Sequence, residues 1–305
     1  MIDLTECKEL NNSFGGSEVK KRIVYDNRIY MVKFPDRVRQ LHNSLSYMNN
    51  QFSEDIGCKI FKSVGIETQN TFLATYIMPN GEPKIVVACE DFTQYGHKLF
   101  EFYKLSLMSE ESSSLRTRAN IDSIMTIIDQ NSSIVDKKSF KLSFWEMFVV
   151  DGLISNSDRN LENFGILEDR VGRVSFAPIY DCGSSLSGLL TDEAMEYYLN
   201  NFSKFKQREF NVYSAFRRDG KKILFSEEIK KPTGLLSQAI INIVPKIDLD
   251  QIDKIIYNTD GMSSVHKEYM SQSIELRYTT ILQPAYKKEY KKLLDRTRDE
   301  EEYTR

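Results

Sequence analysis

The sequence predicts a bilobal α+β fold, with a small β-rich N-terminal lobe and a larger, mostly helical C-terminal lobe. Two observations support this fold class. Strand-type patterns are concentrated before residue 90, and helix-type patterns fill most of the remaining chain. We therefore expect one lobe at residues 1–90 and the other at residues 91–305. Because ligand pockets often form between domains, we expect the functional site in the cleft between the lobes.

The N-terminal lobe is predicted to contain two hairpins and one helix. Asp26-Asn27 separates two strand-like runs and favours a tight hairpin turn. The helix carries apolar side chains at helical spacing and ends before Gly65, a residue typical of helix ends. The predicted strands are residues 22–25, 28–33, 71–78 and 84–89, and the predicted helix is 48–64.

The C-terminal lobe is predicted to be mainly helical. Residues 140–154 are apolar on nearly every side, which is typical of a helix buried in the middle of a domain. A short hairpin around Gly172 follows, with strands at 164–167 and 173–177. Residues 109–117 are polar and predict a surface loop. Further helices are predicted at 121–128, 192–203, 233–244, 248–258 and 264–294.

The composition argues against several function classes. The formal charge is −3, so the basic excess of a typical nucleic-acid-binding protein is absent. No apolar run approaches membrane-spanning length and the N terminus lacks a signal-peptide pattern, so we expect a cytoplasmic protein. The four cysteines form no C-x-x-C pair and the three histidines are well separated. We therefore expect free thiols and no structural zinc site.

The most informative motif follows the long apolar helix. Asp158 and Asn163 are five residues apart in a polar turn, and Asp181 of an Asp-Cys-Gly motif follows 18 residues after Asn163. Protein kinases use an Asp for the acceptor hydroxyl, an Asn five residues later for one magnesium ion and an Asp-x-Gly carboxylate for the other. Asn and Asp are also ordinary turn residues, so the Asp158–Asn163 pair alone is a weak signal. The Asp-Cys-Gly motif at the expected spacing strengthens it, and upstream features strengthen it more.

Three upstream features complete an ordered series. Residues 12–17 contain Gly15-Gly16, and paired glycines allow backbone N–H groups to approach phosphates. Lys33 lies inside a predicted strand, and Glu54 lies on the following helix. Kinases use such a Lys–Glu pair to hold the α- and β-phosphates of ATP. Taken singly, Gly-Gly indicates a turn and Glu54 an exposed carboxylate, but their order favours phosphoryl transfer.

The chain resembles the HipA-type serine/threonine kinases of bacterial toxin–antitoxin modules, in particular their small CtkA-like members. The likeness covers most of the chain and is weakest at about 104–137 and 190–235. The two catalytic-loop motifs are its most specific part. The matching segments are residues 30–35 (Tyr-Met-Val-Lys-Phe-Pro), 84–89 (Lys-Ile-Val-Val-Ala-Cys), 144–149 (Phe-Trp-Glu-Met-Phe-Val), 157–160 (Ser-Asp-Arg-Asn) with Asn163 and Gly165, 177–183 (Ala-Pro-Ile-Tyr-Asp-Cys-Gly) and 266–268 (His-Lys-Glu).

The resemblance implies a protein-kinase-like fold, ATP and Mg²⁺, and a protein substrate with a Ser or Thr acceptor. It implies Asp158 as the catalytic base, Lys33 as the phosphate-binding lysine, and Asn163 and Asp181 as the magnesium ligands. The predicted catalytic set is Asp158, Lys33 and Glu54. Ser13 falls where HipA-type kinases carry an autophosphorylated serine, so autophosphorylation is expected. The implied nucleotide-binding set is Ser13, Gly15, Gly16, Ser17, Lys20, Lys33, Ala88, Glu90, Asn163 and Asp181.

The sequence departs from the family pattern at three points. Residue 160 is Asn where the family often has His, and we expect activity to survive because that His is not the proton acceptor. The metal motif contains Cys182 instead of Phe, so a Phe-gated switch is not expected. The chain begins almost at the phosphate loop, so an antitoxin contact is expected to be absent or to involve a separately encoded polypeptide.

The sequence leaves two alternatives to a protein kinase. The Asp158–Asn163 motif also resembles the catalytic loop of phosphoinositide kinases, which would indicate a lipid or small-molecule substrate. The absence of a basic excess argues against a membrane-surface substrate, and we expect neither membrane nor direct nucleic-acid binding. A nucleotide-binding pseudokinase is the second alternative. Retention of Lys33, Asp158, Asn163 and Asp181 argues against it.

Overall fold

The computed structural model describes residues 1–11, 20–35, 49–107 and 119–303. The predicted loop at 109–117 and the phosphate-loop residues Ser13, Gly15, Gly16 and Ser17 lie outside these ranges. The predicted bilobal α+β architecture is confirmed, with a β-rich N-terminal lobe and a larger helical C-terminal lobe. No helix among the described residues is long and apolar enough to cross a membrane.

The N-terminal lobe is built on a six-stranded sheet with the order β1-β5-β6-β4-β3-β2. The predicted first hairpin is confirmed, and Asp26 and Asn27 have φ angles of 49° and 58°. Such left-handed backbone at both turn positions matches the twist of a two-residue hairpin. The strands are β1 (Ile2–Asp3), β2 (Lys8–Leu10), β3 (Lys20–Tyr25), β4 (Arg28–Lys33), β5 (Thr71–Ile77) and β6 (Pro83–Glu90).

Helix α1 (Asn50–Ser63) packs against β5 and β6 and joins the sheet to the rest of the protein. It was predicted at 48–64, and Gly65 follows it with a φ of 83°, which a glycine adopts without strain. Its side chains Phe52, Ile56 and Phe61 are buried in the large core that continues into the C-terminal lobe. The helix is therefore held from two sides and positions the residues that it carries.

The C-terminal lobe surrounds helix α4 (Lys137–Ile154), which is buried over most of its length as predicted. Its aromatic side chains Phe144, Trp145 and Phe148 pack on one another and on neighbouring rings. The other helices are α2 (Phe102–Leu107), α3 (Ile121–Gln130), α5 (Asp192–Leu199), α6 (Phe202–Phe210), α7 (Phe225–Lys230), α8 (Gly234–Ile243), α9 (Leu249–Tyr257), α10 (Ser264–Arg277) and α11 (Gln283–Tyr303).

Two small sheets complete the C-terminal lobe. The predicted hairpin around Gly172 is present as β8 (Gly165–Glu168) and β9 (Val174–Phe176). It belongs to a three-stranded sheet, because β7 (Lys98–Glu101) pairs with β8. A second hairpin, β10 (Tyr213–Arg218) and β11 (Lys221–Leu224), was not predicted.

Two predicted helices differ from the observed ones. The segment predicted as one helix at 192–203 forms the end-to-end helices α5 and α6. The segment predicted at 264–294 is interrupted by a π-helical turn, Tyr278–Leu282, between α10 and α11. In both cases apolar residues recur at helical spacing across the break. This pattern therefore does not indicate where one helix ends or where the helix changes to π-helical winding.

Candidate active site

The centre of the candidate site is a buried ion pair between β4 and α1 of the N-terminal lobe. Strand β4 supplies Lys33 at its last position, and α1 supplies Glu54. Lys33 Nζ lies 3.0 Å from Glu54 Oε2, and the two residues are only 5% and 1% exposed. The structure thus brings together the lysine and glutamate singled out in the sequence, and a charged pair this deeply buried needs such mutual neutralisation.

Asp181 is a second partner of the same lysine. Lys33 Nζ lies 2.8 Å from Asp181 Oδ1, and Asp181 has a φ of 58°, a left-handed backbone that is uncommon for a non-glycine residue. Burial alone would lower the pKa of Lys33, but Asp181 and Glu54 together raise it well above its ordinary value. Burial likewise opposes ionisation of Asp181, but the charges of Lys33, Arg159 and Lys20 hold the pKa of this carboxyl below its usual range.

The turn after α4 presents Asp158 and Asn163. Asn163 Nδ2 donates a 2.8 Å hydrogen bond to the backbone oxygen of Asp158, which fixes the two residues relative to each other. Asn163 is buried, whereas the Asp158 side chain is exposed at the surface of the site. Partial desolvation by neighbouring protein atoms is the largest effect on Asp158, and it raises the pKa of this carboxyl. A hydrogen bond from Asn160 lowers the pKa, and the negative charge of Asp181 raises it.

Arg159 connects the turn to the Asp-Cys-Gly segment. Its fully buried guanidinium donates a 2.9 Å hydrogen bond to the backbone oxygen of Asn163 and another to the backbone oxygen of Tyr180. It also donates to the backbone oxygen of Asp181 at 3.4 Å. One side chain therefore sets the spacing between the two segments that carry Asn163 and Asp181.

Asp151 on α4 holds Arg159 in this position. Arg159 Nε lies 3.0 Å from Asp151 Oδ2 and Nη2 lies 3.1 Å from Asp151 Oδ1, a bidentate arrangement. Asn156 Nδ2 donates a further 2.9 Å hydrogen bond to Asp151. Arg159, Asp151 and Asn156 were not predicted as site residues from the sequence. A carboxylate within an otherwise apolar helix was the signal that could have found Asp151.

Close packing holds α1 against the Asp-Cys-Gly segment. A Cβ atom on Gly57 would lie 2.7 Å from Cys182 Cβ, and one on Gly183 would lie 3.2 Å from Glu54 Oε2. Since real Cβ atoms essentially never approach as closely as 2.7 Å, Gly57 leaves no room for a side chain. The absence of side chains at both glycines allows Glu54 and Asp181 to approach the same lysine.

The other predicted nucleotide-binding residues within the described ranges, Lys20, Ala88 and Glu90, lie on strands β3 and β6 of the N-terminal sheet. Lys20 stands opposite Lys33 in the β3–β4 pairing. Ala88 lies in the sheet interior, paired with both Val32 and Phe72. The Glu90 backbone N–H donates to Asn70 and its carbonyl accepts from Gln69 Nε2. The backbone of Glu90 therefore already takes part in hydrogen bonds, and Ala88 pairs with Val32, the residue before Lys33.

Comparison with known proteins gives the family. The serine/threonine-protein kinase CtkA of Helicobacter pylori (strain J99) is 35% identical over 292 residues, covering 93% of this chain and 87% of that protein. The chain belongs to the CtkA family of serine/threonine-protein kinases. The crystal structure of the H. pylori proinflammatory kinase CtkA superposes with a TM-score of 0.87 at 34% identity, covering 95% of this chain and 98% of that one. No protein-family model matches the chain.

A more distant structural relative is HipA from Shewanella oneidensis MR-1, in a complex with HipB and operator DNA. It superposes with a TM-score of 0.53 at 13% identity and covers 91% of this chain. At this level of identity the match supports the fold alone. The CtkA and HipA matches agree with the resemblance drawn from the sequence motifs.

Proposed function

We propose that this CtkA-family protein is an ATP- and magnesium-dependent serine/threonine protein kinase in which Lys33, Glu54, Asp158, Asn163 and Asp181 form the active site. The observation that carries the proposal is the buried Lys33 ammonium, placed 3.0 Å from Glu54 and 2.8 Å from Asp181. Such a lysine stays charged and fixed in position, which suits it to bind the α- and β-phosphates of ATP. Glu54 keeps it in place when the phosphates approach.

The residues present fit a magnesium ion. Asn163 uses its amide nitrogen for the Asp158 carbonyl, so its side-chain oxygen faces away from that hydrogen bond. Asp181 uses Oδ1 for Lys33 and has a second carboxylate oxygen. Because magnesium prefers oxygen ligands, Asn163 and Asp181 would hold it. When bound, the metal ion neutralises charge on the β- and γ-phosphates.

Asp158 is proposed to receive the acceptor hydroxyl. Its exposed carboxylate is accessible to a protein segment, and the hydrogen bond from Asn163 fixes its backbone. In the ionised form it orients the Ser or Thr hydroxyl and accepts its proton as the phosphoryl group is transferred. Most of the rate enhancement is attributed to positioning and charge stabilisation by these preorganised groups.

Further assignments come from the family likeness. They are nucleotide contacts by Lys20 and by the segment from Ala88 to Glu90, a phosphate loop at Ser13, Gly15, Gly16 and Ser17, autophosphorylation at Ser13, a separately encoded antitoxin or regulator, and a cytoplasmic location. The charge of Lys20 acts on Asp181, which supports its placement near the phosphates. The lobe boundary near residue 90 is proposed from the end of β6 at Glu90.

The proposal is tested by phosphate transfer from γ-labelled ATP with magnesium, followed by mass spectrometry of the labelled product. A generic serine peptide mixture and phosphoinositide-containing vesicles are offered in parallel. We expect label on Ser or Thr of the protein itself or of the peptides, and none on lipid. Label confined to lipid would replace the proposal by a lipid kinase. ATP binding by calorimetry without any transfer would replace it by a pseudokinase.

A further inference from the structure

The β10–β11 hairpin carries a concentrated positive charge in a protein whose formal charge is −3. Between Tyr213 and Leu224 the hairpin has four basic residues and one acidic residue, Asp219 at its turn. The basic residues occupy facing positions, with Arg217 paired to Lys222 and Arg218 paired to Lys221. The hairpin therefore presents a basic tip with a local charge opposite to that of the whole chain.

The other side of the hairpin is anchored next to the catalytic turn. Phe216 and Ile223 are buried, and they flank the basic residues, immediately before Arg217 and immediately after Lys222. The Phe216 ring centroid lies 5.8 Å from that of Phe164, the residue that follows Asn163, and 5.0 Å from that of Phe144. This packing ties the hairpin rigidly to the Asp158–Asn163 turn.

The basic residues of the tip differ in their existing partners. Arg218 is held by Glu228 of α7 at 2.6 Å and lies 3.9 Å from Asp122 of α3. Arg217 donates a 2.8 Å hydrogen bond to the carbonyl of Gly220 in the turn. Lys221 and Lys222 are exposed, and the described residues provide no ion pair for either of them. These two ammonium groups are therefore available to a ligand.

Lys222 also lies beside the anchor that the hairpin makes on the catalytic turn. It pairs with Arg217, the residue after Phe216, and the Phe216 ring packs against Phe164, which follows Asn163. An anionic group bound at Lys222 would therefore lie near the catalytic turn.

Because cross-strand partners share a face and successive strand residues point to opposite faces, Arg217 and Lys222 lie together, whereas Lys221 lies on the other face with Arg218. We name Arg217 and Lys222 the basic hairpin surface.

We propose that the basic hairpin surface binds acidic side chains of the protein substrate, so that the kinase prefers Ser or Thr acceptors flanked by Asp or Glu. This inference rests on the proposed kinase function and names its substrate class. Opposite charges at such a rim position guide association and select among partners more than they add affinity. Lys222 is exposed and pairs across the ladder with the basic Arg217, so charge complementarity favours an acidic polypeptide as the occupant.

The test measures peptide binding separately from phosphate transfer. Two fluorescein-labelled 13-residue peptides with one central Ser are compared by anisotropy, one with Glu at flanking positions and one with Gln. The full chain is used with magnesium and a non-hydrolysable ATP analogue. We expect the Glu peptide to bind about fivefold more tightly in low salt, the size of one or two exposed charge contacts. The preference should decline as salt screens the charges.

Charge reversal identifies the residue responsible. Lys222→Glu should abolish the preference for the Glu peptide, whereas Lys246→Glu, an exposed lysine on another element, should retain it. Thermal unfolding of each variant establishes that it is folded. Equal affinity of wild type for both peptides, or an unchanged preference in Lys222→Glu, would overturn the inference. A raised KM for ATP with an unchanged peptide preference would assign Lys222 to ATP instead, and would overturn it too.

Failure of the inference and failure of the kinase function give different results. Phosphate transfer to both peptides at equal efficiency would leave the kinase function intact and contradict the acidic preference. Selective binding of the Glu peptide with no transfer to any acceptor would support the surface and contradict the catalytic function.

Discussion

Arg159→Met removes the side chain that connects the catalytic turn to the Asp-Cys-Gly segment. Methionine is apolar and has a similar reach, so it fills much of the space but donates no hydrogen bond. The substitution leaves Asp151 as a buried carboxylate that has lost its bidentate partner, and burial alone already raises the pKa of Asp151. It also leaves the carbonyls of Asn163 and Tyr180 without their guanidinium donor.

The expected cost is large. Removing one partner of a buried ion pair costs about 3–5 kcal/mol, because the remaining charge is uncompensated. Each buried carbonyl that loses its donor adds about 1 kcal/mol. Some relaxation offsets these terms, so we expect the free energy of unfolding to fall by about 4 kcal/mol in Arg159→Met. The free energy of unfolding should fall less when Asp151→Asn is combined with Arg159→Met, because the double variant contains no unpaired buried charge.

Urea unfolding of wild type, both single variants and the double variant measures this coupling. Trp145, the only tryptophan, is buried on α4 and reports the transition by fluorescence, with far-UV circular dichroism as the second probe. We expect the double variant to lose less free energy of unfolding than the sum of the two single-variant losses, by about 2 kcal/mol or more. Single-variant losses that add within about 0.5 kcal/mol would refute Arg159 and Asp151 as an interdependent pair.

Three further changes test other parts of the structure. Glu54→Gln should lower kcat/KM at least about tenfold, which is the effect of losing one charge-assisted hydrogen bond to Lys33. An unchanged kcat/KM would show that Glu54 does not contribute to catalysis. Gly57→Ala should displace Cys182 and lower the free energy of unfolding by about 1–3 kcal/mol. Thermal unfolding should show a lower Tm, and an unchanged Tm would contradict the close contact between Gly57 and Cys182. Burial lowers the pKa of His266 to about 4. Between pH 7 and 5 the unfolded state gains a proton that folded His266 does not, so stability should fall by about 2 kcal/mol more in wild type than in His266→Gln; equal losses would contradict a buried neutral imidazole.

Local patterns predicted much of the fold. The β3–β4 hairpin, α1 and α4 were identified because their turn residues and apolar spacing act within a few residues of one another. Strand β7 was missed because its partner β8 lies more than 60 residues later in the chain. The β10–β11 hairpin was missed because charged residues flank its Asp219-Gly220 turn, and its apolar anchor is limited to a few side chains.

The candidate site was predictable to the extent that its residues form an ordered series. The spacing of Asp158, Asn163 and Asp181, with Lys33 and Glu54 upstream, indicated which side chains to expect near one another. Spacing contains no information on which side chains organise the others. The buried Arg159–Asp151 pair and the direct contact of Lys33 with Asp181 depend on packing between distant segments, which only the folded structure provides.

In the proposed mechanism, Asp158 receives the acceptor hydroxyl whereas Asp181 holds magnesium. The most direct test compares Asp158→Asn with Asp181→Asn for magnesium-dependent ATP binding by calorimetry and for phosphate transfer from γ-labelled ATP. We expect transfer to fall by about a thousandfold or more in both variants. ATP binding with magnesium should persist in Asp158→Asn and weaken at least about tenfold in Asp181→Asn. Phosphate transfer within about tenfold of wild type in both variants would contradict the proposed roles of Asp158 and Asp181.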